Sequence, residues 1–315
     1  MLGPMARGSK HPVRPHLVMM SYRGGDRLRR CLDSIADSAD LFDRIILSIT
    51  APLDSADEAL AREYARLRIP RAEVITTDRE LPTMEHQAFW VDYLESTGVG
   101  AAEWIYWLAY DDQVFGPGIR MLLEDSGAWP VVPGTAYFGP WAMQHESADV
   151  VLSGDWTEPM EMWTSFPLNG PTRLPVLDWV VRQLRQPTYM QMSGSVCSFG
   201  SYLELRDGHP RKSGPMRIEM ATALTSGTDY VAEFPQPVSV IYGRPNSDRA
   251  SYGSAARSQD IHLAAWAVRY ARTSPSRLAQ LARGSAAFAA HRWSVLRGRT
   301  DQRTEDWVVR GVISP

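Results

Sequence analysis

Between residues 16 and 110 four short apolar runs alternate with three segments of helical period, and this alternation constrains the fold more than any other feature. The runs are His16-Leu17-Val18-Met19-Met20, Arg44-Ile45-Ile46-Leu47-Ser48-Ile49-Thr50, Ala72-Glu73-Val74-Ile75-Thr76 and Trp104-Ile105-Tyr106-Trp107-Leu108-Ala109-Tyr110. Their length and their turn-forming flanks read as strands. Between them, Leu28, Cys31, Leu32 and Ile35 recur at steps of three and four. Leu60, Tyr64 and Leu67 share one side of a second helix, and Phe89, Trp90, Tyr93 and Leu94 are the apolar members of a third, over Thr83 to Thr97. Helices that separate strands of one sheet act as crossovers, so the strands run parallel. The fourth run is apolar nearly throughout, as in a strand covered on both faces. The expectation is an α/β fold with a mostly parallel sheet flanked by helices.

On such a sheet ligands bind beyond the carboxyl ends of the strands. The polar residues to watch are therefore Ser21 to Arg23, Ser48 to Thr50, Thr77 to Arg79, and Asp111-Asp112. Two adjacent carboxylates raise each other's pKa unless something positive sits beside them. A hard divalent cation is one remedy, since magnesium takes carboxylate, phosphate and water oxygens. A helix cap with a solvated neighbour, or an ion pair with arginine, is the plainer explanation. The place of the pair, directly after the fourth strand, favours a ligand site.

The chain of 315 residues, 44% hydrophobic, can fill one large domain, or one domain and an appendage. A net charge of −3 argues against a general nucleic-acid binder. Cys31 and Cys197 lie far apart in apolar settings, which predicts reduced, buried thiols and a cytoplasmic protein. No run of about 18 apolar residues suggests a membrane span. Met1 to Pro15 lacks the apolar stretch of a secretory signal and reads as a flexible leader.

The second half is less periodic. From Trp129 to Pro187 it is rich in Trp, Pro and Gly, which suggests loops and short antiparallel strands. Trp129, Trp141, Trp156 and Trp163 fit packing better than sugar binding. Tyr189 to Phe199 reads as strand and turn around Ser193-Gly194-Ser195, Pro215 to Leu224 as a helix, Val238 to Tyr242 as a strand, and 243–258 as a polar loop. The tail from Arg257 to Arg303 is basic, with Leu278, Leu281, Ala282 and Phe288 forming an apolar face. It is expected to be a helical appendage packed on the core. The other reading is peripheral contact with an anionic membrane surface. The organisation expected is a flexible leader over 1–15, one half of a domain over 16–125, the other half of the same domain over 126–255 and a helical tail over 256–315.

Residues Leu17 to Leu123 resemble the nucleotide-binding half of family 2 glycosyltransferases with the GT-A fold. The resemblance rests on Ser21-Tyr22-Arg23 after the first strand, on Leu28-Arg29-Arg30-Cys31-Leu32-Asp33-Ser34-Ile35, and on Asp111-Asp112 after the fourth. It implies that Ser21, Tyr22, Arg23, Thr50 and Arg79 bind the nucleotide. It implies that Asp112 holds a divalent metal, Mg2+ or Mn2+, and that Asp111 contacts ribose or shares that metal. Lys212 to Met220 resembles the late segment in which a carboxylate opens a helix and faces the acceptor, which makes Glu219 the general base, with Asp229 and Glu204 in reserve. Ser193 and Gly194 resemble the small-residue turn under the donor sugar. His86 either faces the diphosphate or packs at the surface, the latter being favoured. The partners implied are a nucleoside-diphosphate sugar and a hydroxyl acceptor. The chain departs from the family in three ways: it lacks an Asp at the end of the second strand, has Gln113 after the acidic pair, and has no late His in Arg244-Pro245-Asn246-Ser247. Two rivals share parts of this pattern: a sugar nucleotidyltransferase, faintly echoed in Arg23-Gly24-Gly25-Asp26-Arg27, and a degenerate binding protein. No Gly-x-Gly-x-x-Gly follows the first strand, which disfavours a dehydrogenase.

Overall fold

The computed structural model describes residues 13–22, 24–50, 56–145, 160–164, 166, 171–185, 192–208, 222, 225–243, 267–296 and 308–313. Its first half alternates as expected: β1 (His16–Ser21), α1 (Gly25–Asp37), β2 (Ile45–Thr50), α2 (Ala56–Leu67), β3 (Ala72–Thr77), α3 (Thr83–Ser96) and β4 (Trp104–Ala109). These strands lie in the order β3-β2-β1-β4, all parallel. Met20 pairs with both Ser48 and Ala109, so the carboxyl ends of β1, β2 and β4 lie level.

β1, β2 and β4 are buried on both faces, which is why β4 shows no polar alternation, while the edge strand β3 is only partly covered. Val18, Met20, Ile46, Ile75 and Trp107 pack with Trp90, Val91 and Leu94 of α3. Leu17, Met19, Ile45, Leu47 and Leu108 pack on the other side with Leu28, Cys31, Leu32 and Ile35 of α1. Each such fully buried aliphatic side chain contributes roughly 2 kcal/mol by leaving water.

The second half comprises β5 (Gln113–Val114), α4 (Gly116–Ser126), β6 (Thr135–Tyr137), β7 (Trp141–His145), β8 (Met160–Thr164), β9 (Arg173–Pro175), α5 (Val176–Arg185), β10 (Ser195–Ser198), α6 (Phe199–Gly208), β11 (Tyr230–Ala232), β12 (Ser239–Gly243), α7 (Pro275–Leu296) and β13 (Val308–Ile313). The main sheet continues from β4 through β10-β6-β11-β9. Here β10 runs antiparallel to β4, with Ser195 opposite Trp107. The turn before β10 therefore arrives at the carboxyl end of β4. A second sheet, in the order β13-β8-β7-β12-β5, pairs β12 with the short strand that follows the acidic residues.

Trp129 and Trp141 are buried, as the packing reading requires, and Trp129 contacts the rings of Phe42, Tyr106 and Phe234. α5 is a helix in a segment expected to hold loops and strands; Val176, Leu177, Trp179 and Val180 anchor it in the core. α7 packs on α5: a Cβ placed at Gly284 would lie 2.3 Å from Val181 Cγ2, and Leu281 rests on the core that also holds Val176, Trp179 and Val180. The tail helix thus lies against the protein body. Cys31 and Cys197 are buried free thiols. Among the described residues no helix is long and apolar enough to cross a membrane. Arg23, Glu219, Trp156, residues 244–247 and nearly all of 215–224 lie outside the described residues.

Candidate functional site

A cleft of about 510 Å3 opens at the carboxyl edge of β1, β2 and β4, lined among others by Ser21, Tyr22, Thr50, His86, Trp107 and Tyr110. Its first wall is the turn after β1. Asp57, buried in the first turn of α2, accepts hydrogen bonds from Ser21 Oγ (2.9 Å), Gly24 N (2.6 Å) and Gly25 N (3.3 Å). Sequence reasoning missed Asp57, because an acidic residue opening a helix reads as a dipole partner. The phenol of Tyr22 donates to Glu80 and ties β1 to the opposite lip. Thr50 Oγ1 donates to Arg79 O (3.1 Å) and accepts from Leu81 N (2.7 Å), so it shapes the loop after β3. The guanidinium of Arg79 faces Glu85 at 3.6 Å and does not line the cleft.

The floor is built from sulfur and indole. Trp90 Nε1 and Trp107 Nε1 both donate to Met20 Sδ, at 3.3 and 3.0 Å. Beside them His86 Nε2 and Ser48 Oγ lie 2.8 Å apart. His86 is not the surface residue the sequence favoured: it is 2% exposed and lines the cleft. Burial pushes its imidazole down to about 4. An unfolded His titrates near 6.5. Between those values the unfolded chain holds a proton that the folded chain does not, so stability should fall as pH drops from about 6.5 to about 4. The loss from this group is on the order of 3 kcal/mol. Urea titrations at pH 7 and pH 4.5 check this: His86→Leu should flatten the decline, and equal slopes for wild type and variant would refute it.

The acidic pair follows β4 on a turn. Asp112 is 4% exposed, and its Oδ2 accepts from Ser193 Oγ at 2.5 Å. Ser193 Oγ in turn accepts from Ala109 N at 3.0 Å. Gly194 holds Ser193 there: its N donates to Trp107 O (2.9 Å), its φ is +81°, and Ser239 Oγ donates to Ser193 O (2.9 Å). Ser193 and Gly194, expected under the donor sugar, thus brace the carboxylate with the serine hydroxyl. Asp111 is only partly buried. Gln113 is buried: its Nε2 donates to Arg30 O (3.2 Å), and its Oε1 accepts from Tyr242 OH (2.5 Å). The Arg30 guanidinium lies 3.4 Å over the Tyr242 ring. Gln113 therefore links α1 to β12, which explains a neutral side chain after the acidic pair. Burial, then the charges of Asp112 and Asp111, push the Cys31 thiol well up, so it remains protonated and is no nucleophile.

The donor set fits a hard cation. Two carboxylates on one turn match magnesium or manganese, which complete their shells with phosphate and water. Among the described residues the one group of three potential ligands is His16, Asp43 and Glu103. It lies at the opposite edge of the sheet, about 17 Å away along the six residues of β1. There His16 bonds Glu103 through Nε2 (2.7 Å) and faces Asp43 through Nδ1 (3.6 Å), a clamp on strand starts rather than part of the cleft. The reserve carboxylates are engaged elsewhere: Glu204 accepts from Ser226 N and Oγ, and Asp229 pairs with Arg277.

No family model and no curated protein matches the chain in sequence. Solved structures do match its architecture. One is residues 1–349 of TarS from S. aureus in complex with UDP-GlcNAc, with a TM-score of 0.50 and 11% identity, covering 90% of this chain and 73% of that one. Others are the mannosyltransferase PcManGT from Pyrobaculum calidifontis with GDP-Man and Mn2+ (TM-score 0.48, 13% identity, 92% and 80%) and GalNAc-T7 with UDP, GalNAc and Mn2+ (0.48, 11%, 76% and 45%). The chain has the GT-A fold of nucleotide-sugar glycosyltransferases. At this level of identity the likeness establishes architecture alone.

Proposed function

We propose that the protein is a metal-assisted, inverting glycosyltransferase that moves a sugar from a nucleoside-diphosphate sugar to an acceptor hydroxyl on a glycan, lipid-linked intermediate or secondary metabolite. The observation that carries this reading is Asp112, buried at the carboxyl end of β4 and braced by Ser193, beside a cleft that crosses the neighbouring strand ends. Residues 16–125 bind the donor in that cleft, with Ser21, Tyr22 and Thr50 on its wall. Residues 126–255 bind the acceptor, and 256–315 form the tail. Asp112 and Asp111 hold Mg2+ or Mn2+, which when bound neutralises the departing diphosphate. Glu219 removes the proton of the acceptor hydroxyl as it attacks the anomeric carbon. A cytoplasmic setting suits the two buried free thiols, and the tail is the part best suited to peripheral membrane contact.

The test is a thermal-shift screen of nucleoside diphosphates with and without manganese, followed by donor-sugar hydrolysis. A metal-dependent rise in melting temperature with at least one nucleotide is expected. No shift with any nucleotide, together with no metal-dependent hydrolysis, would overturn the assignment. Glu219→Gln should keep nucleotide binding and lose about 100- to 10,000-fold in turnover; full activity would remove it as the base.

A further inference from the structure

Among the described residues, the side chains of the inner part of the cleft are neutral. Of its polar side chains, Ser21 is held by Asp57, Thr50 by the loop after β3 and Tyr22 by Glu80, while Thr83 is exposed. Among the described residues Glu80 is the one carboxylate in the lining. His86 differs. Its Nε2 is bonded to Ser48, and its Nδ1 has no partner among the described residues. A ring nitrogen on a side chain 98% removed from solvent, facing a cleft and unpaired in the protein, is a group built for a ligand.

The position of the pair says which part of a nucleotide it meets. Ser48 is on β2, with β1 between it and β4. Adjacent strands are about 4.8 Å apart, so Ser48 and His86 stand about 10 Å along the sheet from the strand that bears the acidic pair. A nucleoside diphosphate whose diphosphate lies at Asp111-Asp112 would span that interval with its ribose and bring its base to His86.

We propose that His86, oriented by Ser48, reads the base and makes the site selective for a pyrimidine nucleoside diphosphate over a guanine one. This rests on the reading of the cleft as a nucleotide site. A neutral imidazole can donate or accept at Nδ1, according to which tautomer Ser48 supports. It can therefore meet the N3–H of uracil or thymine, or the N3 lone pair of cytosine. Guanine presents two adjacent donors, N1–H and the N2 amino group, and needs two acceptors side by side, which a carboxylate supplies. Here Glu80 is tied to Tyr22. Guanine bound in this slot would leave at least one of its two donors unpaired, a penalty of about ten- to a hundredfold in affinity.

The experiment is calorimetric titration of UDP, dTDP, CDP, GDP and ADP, with Mn2+, into wild type, His86→Leu, His86→Asn and Ser48→Ala. Melting temperatures of the free proteins identify any variant that fails to fold; Ser48→Ala, a small change, provides the second route if His86→Leu does. At least one pyrimidine nucleotide should bind wild type ten times more tightly than GDP. His86→Leu should lose that preference by weakening the pyrimidine alone. Ser48→Ala should reduce the preference, and His86→Asn, which keeps a donor and an acceptor, should restore part of it. GDP binding equal to or tighter than that of every pyrimidine would overturn the proposal, as would an unchanged ratio in folded His86→Leu and Ser48→Ala. If no nucleoside diphosphate binds wild type, the nucleotide reading itself falls; if all bind without regard to His86, only the selectivity falls.

Discussion

Asp112→Asn should reduce sugar transfer by about three orders of magnitude while leaving the fold in place. The amide has the shape of the carboxylate and can still accept from Ser193 Oγ, so packing in this buried turn survives. On the proposed reading, the lost charge is the one that would hold a divalent cation against the donor diphosphate. Removing one preorganised electrostatic contact from a transition state typically costs about 3–4 kcal/mol, which is the stated loss in rate. Asp112→Ala is a poorer probe, because it strands the Ser193 hydroxyl without its acceptor and adds about 1–3 kcal/mol of instability. Ser193→Ala should sit between wild type and Asp112→Asn. It leaves the ligand in place but removes its brace, a change that lowers metal affinity or activity by about 10–100-fold elsewhere. Initial rates measured across a manganese titration separate the two. For Ser193→Ala added metal should recover activity; for Asp112→Asn it should not. Wild-type rates in Asp112→Asn would remove this carboxylate from the chemistry.

What the sequence disclosed follows from which interactions are local. β1 to β4 and α1 to α3 are legible because each carries its own period, and because a strand buried on both faces is apolar at every position. The acidic pair is legible because its meaning depends on the strand directly before it. α5 is not, since it lies in a Pro- and Trp-rich stretch and its apolar residues find their partners on distant elements, among them Phe138 and α7. The bracing of Asp112 joins residues 81 apart in the chain, and the Ser48–His86 pair joins residues 38 apart. Nothing in either local pattern announces a partner at such a distance. Ser193 therefore looked like part of a small-residue turn, and His86 like a surface histidine. Gln113 looked like a gap in the acidic motif for the same reason: its partners, Arg30 and Tyr242, lie on an early helix and a late strand. The fold brings these residues together at the one edge where parallel strands end level.

The second large effect concerns Gly194, which converts that convergence into a rigid site. Gly194→Ala should destabilise the protein by roughly 3–5 kcal/mol. Part of this is conformational: at φ +81° an L side chain is strained by about 1–3 kcal/mol. The rest is steric, for a Cβ there would lie 2.4 Å from Ser239 Oγ and 2.8 Å from Ser239 Cβ, both held by the bond from Ser239 to Ser193 O. Forcing an extra methyl into a packed site costs about 1–3 kcal/mol more. Gly98 isolates the first contribution, because it has φ +86° and nothing within 4 Å of its would-be Cβ. Gly98→Ala should therefore cost only the strain. Urea denaturation of both variants gives the difference directly, and equal losses would mean that the cradle around Gly194 yields. Where it does not yield, the new methyl must displace Ser193. The folded fraction of Gly194→Ala should then need more manganese than wild type, as Ser193→Ala does, because the same hydroxyl has moved away from Asp112.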